Sequence, residues 1–288
     1  MVCRVNFKTF FFLSTALALL VLSAGMSPNV FANHSWHGYH WSSDRNINSG
    51  DKLPLWVNDN TAPSVAWGSG SILISVINKW NDGVVGYASP FSLTKGIGNN
   101  LSNQRKCPPT FGRVEVCNTT YGKNGWLGIA SIWISNNHIT QGTVKLNDSY
   151  FNTTKYNTSA WKNLVLCQEL GHTLGLDHQD EAFSNTNLNT CMDYTNNPST
   201  NQYPNAHDFE QLGLIYNHSD STSSAPTAIN RGNNSAPGRK VPPEVFDEMN
   251  EPSQWGNLIR RSRNGLKEVY LRNLGEGHFV FTFVTRAQ

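Results

Sequence analysis

Gln168, Glu169, His172, Gly175 and His178 fall within eleven residues, and their types and spacing carry the chemistry of this chain. On an α-helix, residues four apart stack on one face, so Gln168 and His172 would point at a common centre. Gly175 can adopt the left-handed conformation that ends a helix, and the turn would bring His178 to that centre from another direction. Two imidazoles and an amide oxygen, with a fourth position open, describe a catalytic zinc site, where the ion lowers the pKa of a water toward neutrality. Glu169, beside the first donor, is placed to act as general base toward that water and then to protonate a leaving amine. The competing reading of the same residues is a buried helix with two ordinary histidines.

The run from Gln168 to His178 reads Q-E-x-x-H-x-x-G-x-x-H. It resembles the long zinc-peptidase signature H-E-x-x-H-x-x-G-x-x-H, with glutamine in place of the first histidine. Met192-Asp193-Tyr194 follows His178 by fourteen residues. With that second element the chain resembles the metzincin clan of zinc metallopeptidases, matrixin- or astacin-like, over residues 51–218. The resemblance implies one catalytic Zn2+ ligated by Gln168, His172 and His178, with Glu169 as catalytic base. It makes Met192 the Met-turn residue beneath the metal, and Tyr194 a catalytic residue that binds the ion or stabilises an oxyanion. The activity it implies is that of a metalloendopeptidase acting on protein or peptide substrates. A neutral amide oxygen is a poorer zinc donor than imidazole, so the alternative function is a catalytically inactive relative that binds peptides or matrix.

The fold implied is an α+β metzincin-like domain: a twisted, mostly parallel sheet with an antiparallel edge strand, an active-site helix, a Met-turn and a closing helix. Residues 206–216 resemble that closing helix. The stretch Leu127–Ile134 becomes the edge strand that receives an extended substrate by β-augmentation; its apolar run fits an interior strand equally well.

The first 32 residues carry Arg4 and Lys8, an apolar run from Phe10 to Leu22, and Ala32 as a cleavage residue. This pattern reads as a secretory signal peptide rather than a spanning helix, which predicts a secreted, extracellular protein without stable membrane insertion. Removing Arg4 and Lys8 from the 22 Lys and Arg leaves 20, equal to the 20 Asp and Glu. Such a neutral balance has no electrostatic footprint for nucleic acid. Oligomeric state is not legible. Cys3 leaves with the signal, and Cys107, Cys117, Cys167 and Cys191 then suggest two disulfides, for which three pairings are open. Cys107–Cys117 is favoured because it closes a short Pro-containing loop. The metzincin resemblance implies Cys167–Cys191, which would tie the active-site helix to the Met-turn.

Residues 33–50 are polar and aromatic, with His34, His37 and His40 at three-residue spacing. These read as an exposed N-terminal segment, with metal binding by the three histidines as the alternative. Strands are predicted at Leu53–Val57, Val84–Tyr87, Ile129–Ile134 and Gly142–Asn147, and helices at Ser69–Asn81 and Trp161–Leu174. The polar stretch Asn99–Asn124 reads as a long surface loop. Residues 219–240, rich in Ser, Thr, Asn and Pro, read as a linker. Within residues 241–288, alternation over Leu266–Arg272 and His278–Val284 predicts a small C-terminal β-hairpin appendage.

Overall fold

The computed structural model describes residues 33–45, 50–61, 67, 72–98, 104–221 and 249–288. Residues 1–32, read above as a signal peptide, and most of those read as a linker lie outside these residues. The chain from Asn33 onward is α+β and built on one mixed sheet. Its strands are β1 (His40–Trp41), β2 (Leu53–Asn60), β3 (Phe91–Ile97), β4 (Arg113–Thr119), β5 (Trp126–Ser135), β6 (His138–Asn147), β7 (Asn257–Arg261), β8 (Lys267–Gly275) and β9 (His278–Arg286). Its helices are α1 (Ile72–Asp82), α2 (Asp148–Phe151), α3 (Ser159–Thr173) and α4 (Ala206–Ile215).

The sheet runs β3-β2-β4-β6-β5-β9-β8-β7, with β1 also beside β6. The first half, β3 through β6, is parallel, and everything from β5 onward is antiparallel. The expected mostly parallel sheet is therefore only half of what forms. β5, expected as the antiparallel edge, is interior: it pairs with β6 on one side and with β9 on the other, from Trp126↔Arg286 to Ser135↔His278. Its burial on both faces is what a strand with neighbours on each side requires.

The C-terminal hairpin is present, and it is an extension of the sheet rather than a detached appendage. A third strand, β7, joins it. Val280, Val284, Trp255 and Tyr270 pack on Tyr121, Trp126, Ile129 and Trp133, while Phe281 and Phe283 enter the main core. A lone hairpin is marginal in water, and this packing is what stabilises it.

Three further expectations are corrected. Val84–Tyr87 is a tight turn closed by reciprocal hydrogen bonds between these two residues, and the strand lies later, at β3. Asn99–Asn124 contains β4, an interior strand whose inward Glu115 accepts from Asn58 at 2.8 Å and from Asn60 at 2.5 Å. Paired in this way, a buried carboxylate is tolerated where its composition reads as loop. Residues 33–45 are not an exposed loop: His34, Trp36 and Trp41 are buried, and Trp41 Nε1 donates to Thr173 O at 2.7 Å. Both disulfides, Cys107–Cys117 and Cys167–Cys191, are formed.

Candidate active site

α3 begins at the N-cap Thr158, whose hydroxyl accepts from the Trp161 amide, and it is buried over nearly its whole length. It ends in a Schellman motif: Leu176 N donates to Gly171 O and Gly175 N to His172 O. Gly175 has φ +95°, and a Cβ there would lie 2.4 Å from Tyr39 O. Only glycine meets both conditions, and the turn delivers His178 to His172. Met192 lies under the helix, where a Cβ on Gly171 would fall 2.5 Å from its sulfur. The Cys167–Cys191 bond fixes the same junction.

The structure brings together all six residues singled out from the sequence. Gln168, Glu169 and Met192 are fully buried, and His172, His178 and Tyr194 nearly so. His172 Nδ1 lies 2.9 Å from Leu176 O, which can only accept, so His172 carries its proton there and offers a lone pair at Nε2. His172 Nε2 and His178 Nε2 are 3.1 Å apart, and His178 Nδ1 is 3.0 Å from the Tyr194 hydroxyl. A Tyr194 O–H donating to His178 Nδ1, and a His178 Nε2–H donating to His172 Nε2, satisfy every one of these atoms. Burial pushes His172 down to about 3 and His178 well below the usual imidazole range, so both rings are neutral.

Three residues of the C-terminal strands complete the site, and no local pattern marks them in the sequence. The Lys267 ammonium donates to Gln168 Oε1 and, at 2.7 Å, to Thr285 Oγ1. Thr285 Oγ1 in turn donates to Glu169 Oε1 at 2.5 Å. Phe283 stacks flat on the His172 ring, with centroids 4.2 Å apart and planes at 8°. Gln168 Nε2 donates to Cys191 O at 2.8 Å. Glu169 Oε2 is buried without a hydrogen-bond partner. Burial raises the Glu169 pKa against the pull of Lys267 and the Thr285 hydroxyl, and burial lowers that of Lys267 against the pull of Glu169.

Zinc fits the imidazole pair. Two nitrogens on a tetrahedral ion at 2.0–2.1 Å stand about 3.3 Å apart, close to the spacing observed. Gln168 does not fit while the C-terminal strands are seated, because its oxygen is taken by an ammonium and a dication beside that charge is disfavoured.

Arg260 of β7 clamps the loop that carries His178. It donates through both terminal nitrogens to Asp177, one at 2.6 Å, and lies 4.8 Å over the Trp36 ring. Burial pushes the Asp177 carboxyl up, but the hydrogen bonds and charge of Arg260 oppose it and hold the pKa well below the usual range. A depressed carboxylate contributes stability above its unfolded pKa of about 4, and loses it as pH falls below that value. Arg260→Met is therefore expected to cost about 1–3 kcal/mol at pH 7, less than a fully buried pair because the Arg260 side chain is 30% exposed. The loss should shrink below pH 4, and urea unfolding at pH 7 and pH 3 measures both.

No protein-family model matches the chain, and no curated protein matches it. Among the described residues, no helix is long and apolar enough to cross a membrane.

Proposed function

We propose that the protein is a secreted zinc metalloendopeptidase of metzincin type, held closed by its own C-terminal strands. The observation that carries this reading is the position of β9. It runs antiparallel to β5 and lays Phe283 on His172 and Thr285 on Glu169, as an extended peptide bound by β-augmentation would. The resemblance of Gln168–His178, Met192 and Tyr194 to the metzincin motifs supports it. So do the two disulfides, which suit an oxidising compartment.

With β9 and Lys267 withdrawn, His172 Nε2, His178 Nε2 and Gln168 Oε1 would hold the ion. Zinc there would supply Lewis acidity toward a water and a peptide carbonyl. Glu169 Oε2, lacking a partner, is the atom that takes the proton and returns it to the leaving nitrogen. Tyr194, beside His178, has a hydroxyl available to the developing oxyanion. β5 orients the peptide by main-chain pairing.

A second reading has its own observation. The hydrogen-bond chain from Tyr194 through His178 to His172 is complete without an ion, and Lys267 places a cation at Gln168. A permanently metal-free relative that binds peptides or matrix would have this arrangement.

The two readings separate on one experiment. An engineered cleavage site within residues 222–248 lets the connection to β7–β9 be cut after folding. Strand pairing then becomes bimolecular, and dilution below its dissociation constant releases the strands. The enzyme reading expects the uncut chain to be inert, and the cut, diluted chain to hydrolyse a peptide library in the presence of zinc. Cut chain that releases its strands but binds no zinc at His172 and His178 decides for the metal-free reading.

A further inference from the structure

A second group of metal donors lies outside the candidate active site, on elements distant in sequence. His40 and His138 are register partners in the parallel pairing of β1 with β6. His218 and Asp220 follow α4. Their donor atoms converge. His40 Nε2 is 3.0 Å from His218 Nε2 and 3.5 Å from Asp220 Oδ2. Asp220 Oδ1 is 3.2 Å from His138 Nε2 and 3.5 Å from His218 Nε2.

We infer that His40, His138, His218 and Asp220 form a binding site for a divalent transition ion of the zinc class, which pins residues 33–45 and the chain after α4 to the β5–β6 hairpin.

Three arguments carry this. First, four of the six donor pairs stand 3.0–3.5 Å apart, near the about 3.3–3.5 Å between donors on a tetrahedral ion at 2.0–2.2 Å, and His40, His138 and Asp220 all lie within 4.8 Å of one another. Second, the groups behind the donors orient them. His40 Nδ1 is 2.8 Å from Gly38 O, a pure acceptor, which fixes the proton on Nδ1 and leaves a lone pair at Nε2 facing the cluster. Asp220 is aimed from two sides, since its amide donates to Ser43 O at 2.6 Å and its Oδ2 accepts from Ser43 N at 2.8 Å. Metal-ligating histidines and carboxylates are held by outer contacts of this kind. Third, the donor types select the ion. Three imidazole nitrogens and one carboxylate suit zinc and its neighbours, whereas calcium and magnesium require oxygen. The His218 side chain is 45% exposed, so an ion has a path in.

The site also has a reason to exist. The segment it would pin places Trp36 and Trp41 in the core and lies along the turn that delivers His178. Trp36 N donates to Gly175 O at 2.9 Å, and Asp177 N to His34 O at 2.6 Å. A cross-link at His40 would hold that segment in place, because binding to the folded state alone stabilises it by mass action.

The test uses the full, uncut chain, stripped with chelator and titrated with zinc alone, alongside His138→Asn and His218→Asn. Wild type is expected to bind one equivalent more than either variant, with affinity at this site falling at least about 100-fold on loss of one ligand. Zinc should raise the thermal midpoint of wild type and raise that of the variants much less. His218 lies at the surface, so its variant reads the site even where His138→Asn folds poorly. Equal stoichiometry and equal affinity in wild type and His218→Asn would overturn the inference. Zinc bound by wild type and lost only on substitution of His172 or His178 would do the same, by placing the ion at the active site.

Discussion

Replacing Lys267 with methionine is expected to destabilise the metal-free chain by about 3 kcal/mol and to raise zinc affinity at the active site at least about tenfold. The two effects share one cause. The Lys267 ammonium is buried and is bonded to Gln168 Oε1 and Thr285 Oγ1. Thr285 passes the contact to Glu169. Removing one member of a buried charge network leaves the other uncompensated, which costs about 3–5 kcal/mol. The lower end applies here because Glu169 is coupled through a hydroxyl and can take up a proton. For zinc the sign reverses. A cation at Gln168 repels a dication, and tenfold in affinity corresponds to about 1.4 kcal/mol, a small share of what such a charge exerts in a dry site. Denaturant unfolding in chelator gives the first quantity, and zinc titration of the same protein in which His218→Asn removes the second cluster gives the second. The double variant Lys267→Met, Glu169→Gln should recover much of the lost stability, since both charges are then gone. Unchanged zinc affinity in Lys267→Met would remove the idea that this lysine keeps the ion out.

That lysine shows where reading the sequence stops. The helix that carries Gln168 and His172, its terminating glycine and His178 were legible because they are local: helical spacing sets which side chains share a face, and a Schellman turn requires glycine at its left-handed position. Met192 was singled out only by the resemblance to the metzincin motifs. The C-terminal hairpin was legible from apolar alternation, and β5 from its apolar run. β4 was not, because polar Glu115 and Asn118 occupy buried positions on its two faces and their burial depends on Asn58, Asn60 and Asp148 elsewhere in the chain. β5 illustrates the same limit from the other side. Its own residues report that it is buried but not what buries it, and the partner proved to be β9, about 150 residues away. Lys267 lies in a strand whose alternation gives no sign that its ammonium reaches Gln168. Likewise the His34, His37, His40 spacing carried no information about pairing: His34 goes to Asp208, and His40 to His138, His218 and Asp220.

In the cut and diluted chain, Glu169→Gln is expected to lower kcat by about 10²–10⁴-fold while leaving zinc bound. The size is that of a general base, and the argument for that role is energetic as well as geometric. Glu169 is fully buried, its pKa is raised by that burial, and Oε2 has no partner. An ionisable group with an unpaired oxygen in the core costs stability, and a helix selected for packing alone would carry an apolar residue or a satisfied amide there. The arrangement is coherent if Oε2 is kept free for a water that arrives with substrate and if the raised pKa brings the carboxyl nearer the pH at which it must exchange a proton. Glutamine preserves shape and hydrogen-bonding capacity but cannot accept a proton, so kcat falls and KM changes little. Zinc retention separates this from a ligand role, because Gln168, His172 and His178 remain. A pH–rate profile adds a readout that a purely structural effect would not move: the acidic limb, set by ionisation of Glu169, should be present in the parent and absent from the residual activity of the variant. Equal kcat in the two proteins, with the strands released and zinc bound in both, would leave Glu169 no catalytic role and would shift the weight to the metal-free reading of the site.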